Sequence, residues 1–191
     1  MKVHVANHPL ISHKLTVLRD ERTDSPTFRL LVSELVTLLA YEATRDVRTK
    51  TVSIKTPVTE TTGLVMADPR PVVVPILRAG LGMLDGMTKL LPTAQVGFLG
   101  MVRDEETLQA STYANRLPED LSGRQVFVLD PMLATGASLV KTIQFLRDEG
   151  KPREVHIVAA IACTVGIEYV HRLEPNVRIW CGAIDDELTA K

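Results

Sequence analysis

This chain has little of several things that would narrow a protein's role at once. Two cysteines occur in 191 residues, Cys163 and Cys181, far apart, in apolar segments and outside any CxxC spacing. They predict reduced core thiols and speak against a disulfide framework or a cysteine-bound metal. Neither sign of charge is in excess, with 22 Lys and Arg against 23 Asp and Glu. No global basic field is offered to nucleic acid or anionic lipid, so any affinity for anions must be local. The longest nearly unbroken apolar stretch, 157–167, is too short to span a bilayer, and the opening MKVHVANHPL lacks a signal-peptide apolar region. These absences predict a cytoplasmic protein of small-molecule ligands, with no nucleic-acid and no membrane partner. No linker, repeat or low-complexity tract interrupts the sequence, which predicts one domain over 1–191.

What is present alternates. Ser25 followed by Pro26 reads as a helix cap with proline at the first helical position, and Leu31, Leu35, Leu38 and Leu39 continue at helical spacing. Short β-rich runs follow at 51–55, 72–77, 95–101, 125–130, 154–161 and 177–181, several of them separated by helix-like segments at 81–91, 138–149 and 166–173. Such alternation implies βαβ units, a parallel sheet with helices on its faces and ligands at the strands' carboxyl ends. The polar segment 103–117 is short of core residues and reads as a hairpin or flap.

The most informative stretch is VFVLDPMLATGAS, Val126 to Ser138. A buried-type strand ends at Asp130. Small residues then follow, Ala134, Thr135, Gly136, Ala137 and Ser138, whose amides and two hydroxyls suit a phosphate at the start of a helix. A second anion-ready loop follows VVVPIL, where Arg78, Ala79 and Gly80 precede Leu81 and Gly82. An arginine fork and closely approachable backbone suit a diphosphate. A ligand with a monophosphate at one end and a diphosphate at the other would use both loops.

These motifs resemble those of the uracil phosphoribosyltransferases. The resemblance rests on HPLISHKLTVLRD, LLAYEATRD, VVVPILRAGLGM, RDEETL and VLDPMLATG, spread over nearly the whole chain. It implies an α/β fold of the type I phosphoribosyltransferase kind: a parallel sheet flanked by helices, with a helical N-terminal region and a β-hairpin flap. It also implies transfer of the 5-phosphoribosyl group from 5-phosphoribosyl-1-diphosphate (PRPP) to uracil, giving UMP and diphosphate in pyrimidine salvage. In the site so implied, Asp130 holds the ribose hydroxyls and Ala134 to Ser138 the 5-phosphate. Pro131, Met132 and Leu133 complete that loop, while Arg78, Ala79, Gly80 and Arg103 take the diphosphate. Arg78, Arg103 and Asp130 form the implied catalytic set. The resemblance further implies Mg²⁺ bound with PRPP rather than a protein-held metal, GTP as a candidate effector, and a homodimer or higher homo-oligomer.

The sequence departs from the family pattern in three places. A glycine-rich segment close to GYIVPGLGDAGDR usually follows AIDDEL and wraps the uracil, whereas this sequence stops at Lys191. Truncation is the expected reason, and the uracil-contacting residues stay unassigned. Ala137 stands where glycine is usual, which is tolerable at a first helical position and strained at positive φ. Val102 replaces a usual tyrosine, and 110–116 carries one aromatic residue, Tyr113. Two other functions remain open, a nucleotide-sensing RNA-binding regulator of the same fold and a transferase for another base.

Other polar residues read as structural. His4 and His8 have a chelating interval but no third ligand, and His13, His156 and His171 show no partner. The acidic runs 104–106 and 185–187 read as solvated faces, with Asp104 and Glu105 placed to orient Arg103. Glu34, Tyr41, Glu42, Arg45 and Asp46 read as salt-bridged helix residues or a subunit contact.

Overall fold

The computed structural model describes residues 2–103 and 110–188, with the backbone alone for 101–103 and 110–114. A parallel sheet forms its centre. In spatial order the strands are β1 (Lys2–Val5), β11 (Arg178–Asp185), β10 (Glu154–Cys163), β8 (Gln125–Leu129), β4 (Val72–Pro75) and β5 (Gln95–Val96), and the short β9 (Met132–Leu133) adds to β10. Successive residues of the inner strands bury on opposite faces. Val72, Val74, Val126 and Val128 pack against helices α4 (Ala137–Gly150) and α5 (Thr164–Leu173). Val73, Phe127 and Leu129 pack against α1 (Pro9–Arg19), α2 (Ser25–Ala43) and α3 (Leu81–Leu90). A strand buried on both sides has to be apolar at every position, which is why these runs show no alternation in sequence.

Two antiparallel hairpins leave this sheet: β2 (Thr49–Lys55) with β3 (Glu60–Met66), and β6 (Phe98–Arg103) with β7 (Ala110–Arg116). The second matches the predicted flap; Asp104, Glu105 and Glu106, with the rest of its tip, lie outside the described residues.

Several boundaries differ from the sequence reading. Asp24, not Ser25, caps α2, its carboxylate accepting from the Thr27 amide at 2.8 Å, and Ser25 is already helical. The run 95–101 is not one strand. Gly97 ends the pairing with β4, and the chain departs into the flap hairpin. His8 is the cap of α1, its Nδ1 accepting from the Leu10 amide at 3.1 Å, while His4 lies on β1, so no helix face brings the two together.

Candidate active site

The strand order reverses between β4 and β8. From β4 the chain passes through α3 to β5 on one side; from β8 it passes through α4 to β10 on the other. A crevice opens at the carboxyl ends of two strands whose connections diverge in this way. Both anion-ready loops start there, side by side, since Pro75 of β4 lies opposite Leu129 of β8 and the Ile76 amide donates to the Leu129 carbonyl at 3.0 Å.

The two helices that begin at this crevice, like α5, lack the side-chain caps of α1 and α2. Side chains of His8 and Asp24 cap α1 and α2, whereas α3 and α4 start at Gly80 and Gly136, which have none to offer. The cap residues bring no side chain to the first amides of either helix, although at α3 Leu81 and Met83 already donate to the Arg78 and Gly80 carbonyls at 3.2 and 3.0 Å. The two helix starts bring partial positive charge to one crevice. Gly80 has ordinary helical angles (φ −67°). Its need for glycine is steric, because a Cβ there would lie 2.4 Å from the Leu129 carbonyl oxygen. Gly136 is needed for two reasons. Its φ is +76°, and a Cβ would come within 2.8 Å of the Gly166 carbonyl oxygen on α5. The left-handed turn therefore falls one residue before Ala137, which is the first residue of α4 and carries no strain. Gly166 in turn presses on the loop, where a Cβ would meet the Ala134 carbonyl oxygen at 2.2 Å. Sequence reading had singled out Gly136 but not Gly166.

Arg78 and Ala79 are exposed at the crevice, and Arg78 has no ion pair among the described residues. Asp130 is largely buried there. Its Oδ1 accepts from the Met132 amide at 3.4 Å, and burial, outweighing that bond, pushes its pKa up to about 6. The next residues are not free loop: the Pro131 carbonyl accepts from the Ala160 and Ile161 amides, and Met132 and Leu133 pair with β10. The Leu133 side chain is buried in the core, while that of Met132 is half exposed. Thr135 and Ser138 are exposed, and Thr135 Oγ1 lies 3.5 Å from the Ala137 amide. Arg103 ends β6, and its side chain lies outside the described residues.

A family model described as uracil phosphoribosyltransferase matches residues 5–191. The chain belongs to that family. A uracil phosphoribosyltransferase of Streptomyces avermitilis is 69% identical over 172 residues, covering 90% of this chain and 81% of the relative. One of Beutenbergia cavernae is 61% identical over 194 residues, covering 100% of this chain and 92% of its own length. Among solved structures, a protein of Aquifex aeolicus superposes with a TM-score of 0.90 at 37% identity, covering 99% of this chain and 90% of that one. A hypoxanthine phosphoribosyltransferase of Staphylococcus aureus gives 0.53 at 14% identity, covering 83% and 75%. That more distant likeness shows the type I phosphoribosyltransferase fold.

Cys163 and Cys181 are buried and free, and burial pushes the Cys181 thiol up to about 11. Glu34 pairs with Lys14, Glu42 with Arg45, Asp46 with Arg178 and Asp185 with Arg19. His13 and His171 are exposed. His156 corrects the sequence reading. It is fully buried and has partners, accepting from Trp180 Nε1 at 3.2 Å through Nδ1 and facing Glu154 Oε2 at 3.3 Å through Nε2. Both partners lie on the sheet, Trp180 on a neighbouring strand whose register the sequence does not disclose.

Proposed function

We propose that this chain transfers the 5-phosphoribosyl group of PRPP to uracil, releasing diphosphate and forming UMP. The observation that carries the reading is the pair of uncapped glycine-started helices at the β4/β8 crevice, with Arg78 beside one and Asp130 beside the other, in a chain of this family. The amides and hydroxyls of 134–138 bind the 5-phosphate, and the Asp130 carboxylate accepts from the ribose hydroxyls. Arg78 and the Ala79–Gly80 backbone hold the diphosphate, joined by Arg103 from the flap. As uracil N1 displaces diphosphate at the anomeric carbon, negative charge grows on the leaving group. Donors already aimed at it stabilise the transition state. Flap closure keeps water from the electrophilic sugar carbon.

The donor set fits a magnesium ion that arrives on the diphosphate. Such an ion keeps mostly phosphate and water oxygens and needs one or two carboxylates at most, and Asp130 supplies one at the crevice. When bound, the ion neutralises diphosphate charge. The base's space is the hollow next to the phosphate loop, lined by Met132, Ala134, Ile161, Cys163, Asp185 and Leu188. No described helix is long and apolar enough to cross a membrane. Two unpaired buried thiols suit the reducing cytoplasm. Self-association falls to the β2–β3 ribbon, which exposes Leu64 (72%) and Val58 (93%); a two-stranded ribbon is marginal in water without a surface to cover it.

The test is to incubate the chain with PRPP and Mg²⁺ and, in parallel, uracil, hypoxanthine, adenine and orotate. UMP from uracil alone is expected, at a low rate without the glycine-rich segment that follows AIDDEL in the family. Absence of UMP from the full-length protein carrying that segment overturns the proposal. Arg78→Ala should lower turnover by about 2–4 kcal/mol of transition-state stabilisation while leaving the melting temperature nearly unchanged. Wild-type turnover in that variant would remove Arg78 from the mechanism.

A further inference from the structure

A large cavity lies away from the crevice. It measures about 740 Å³, and β1, the start of α1 and the carboxyl-terminal half of α2 enclose it. β1 is the edge strand, and β11 and β10 separate it from β8 and β4, so the cavity lies across the sheet from the crevice where the phosphate loops begin. Its size is that of pockets for small organic ligands.

Aromatic rings lead to it across the sheet. Phe127 on β8 tilts against His156 on β10 at 4.9 Å, and the His156 ring is nearly parallel to that of Trp180 on β11 (9°), hydrogen-bonded to it. Trp180 stacks on its directly opposed neighbour His4 of β1 at 4.0 Å and 9°. The row ends at His4 because β1 is the edge strand. One face of the imidazole is covered by the indole; the other is turned beyond the sheet's edge, where His4 lines the cavity. In a chain with one tryptophan and four phenylalanines, half-enclosed ring surface of this kind is scarce.

The charges around the cavity select the ligand. Arg45, the one arginine or lysine lining it, is held bidentate by Glu42, which lines it too, at 2.7 and 3.0 Å. Burial first, then Arg178 and Lys2, lower the pKa of His4, so the ring is neutral at physiological pH. Asn7 and Tyr41, both exposed, offer an amide and a hydroxyl. A π-face, hydrogen-bonding groups and a neutralised ion pair favour an uncharged ring over an anion.

We propose that this cavity is a second ligand site, taking an uncharged planar heteroaromatic molecule of nucleobase or nucleoside size, stacked on the outer face of His4. The proposal is independent of the transferase reading. Trp180, the sole tryptophan, backs that stack and reports on it. Titrating adenosine and uridine into the intact chain, with emission excited where nucleosides do not absorb, should quench Trp180 saturably. His4→Ala should weaken binding about tenfold, the value of one lost stacking partner. Tyr41→Ala, an exposed substitution on α2, should weaken it with unchanged melting, and Arg78→Ala should leave it unaltered. AMP should bind no tighter than adenosine. The proposal is overturned by an absence of saturable quenching, by quenching that persists in both His4→Ala and Tyr41→Ala, or by AMP binding tenfold tighter than adenosine. Emission that changes with protein concentration alone and ignores nucleosides would overturn it in favour of a second copy's side chain filling the cavity. Failure to form UMP in the enzymatic assay would leave these outcomes unchanged.

Discussion

Asp130, the proposed acceptor for the ribose hydroxyls, is a carboxylate that burial makes ill fitted to the fold. Burial raises its pKa from 3.8 to about 6. A folded value above the unfolded one means that Asp130 contributes most to stability below pH 4, and that this contribution is lost as pH rises through about 6. Asp130→Asn should therefore stabilise the fold near pH 7 by up to about 3 kcal/mol in urea unfolding while removing PRPP binding by calorimetry. Wild-type affinity for PRPP should fall as pH drops below about 6, as the acceptor becomes a carboxylic acid. Gly136 is the second decisive residue. Gly136→Ala meets both a left-handed φ and the Gly166 carbonyl. We expect a loss of at least about 1–2 kcal/mol in urea unfolding, from the backbone conformation alone, with a larger loss of turnover as the phosphate loop shifts.

At the scale of elements, the buried polar contacts between strands set the response to acid. His156 on β10 accepts from Trp180 on β11, and desolvation lowers its pKa despite Glu154 nearby. A depressed histidine favours the fold above its unfolded value of 6.5, and that advantage is lost as pH falls through the folded value. His156→Gln should lose less stability than the wild type between pH 7 and 5, measured by thermal unfolding in matched buffers. The elements themselves were unequally legible in the sequence. Strands β4, β8 and β10 were readable because burial on both faces makes them continuous apolar runs between helices. The four-residue β1 and the largely exposed β3 were missed, since KVHV is too short to show a period and ETTGLVM has no buried face to impose one. Within the site, the two loops were readable from glycine, arginine and aspartate after strands. Gly166 was not, because its demand arises from the Ala134 carbonyl, far away in sequence. The Trp180–His156–His4 row was hidden for the same reason: register is a property of assembled strands.

For the whole molecule, the near balance of charge conceals how unevenly polar groups are placed. The two helices that begin at the β4/β8 crevice, like α5, start without side-chain caps, whereas α1 and α2 have them. The proposed self-association belongs to this scale as well. Leu64→Asp on the β2–β3 ribbon should convert the assembly to monomers by sedimentation, at concentrations where the unaltered chain associates. An unaltered chain that sediments as a monomer would overturn the assignment.

The pairing of β1 with β11 joins the two extremes of the described sequence. During synthesis, residues 2–5 leave the ribosome long before 178–185, so β1 waits for its neighbour until every other described strand has been made. Until then the nascent chain keeps β1 unpaired and one edge of β10 open, a surface that chaperones and other nascent chains compete for.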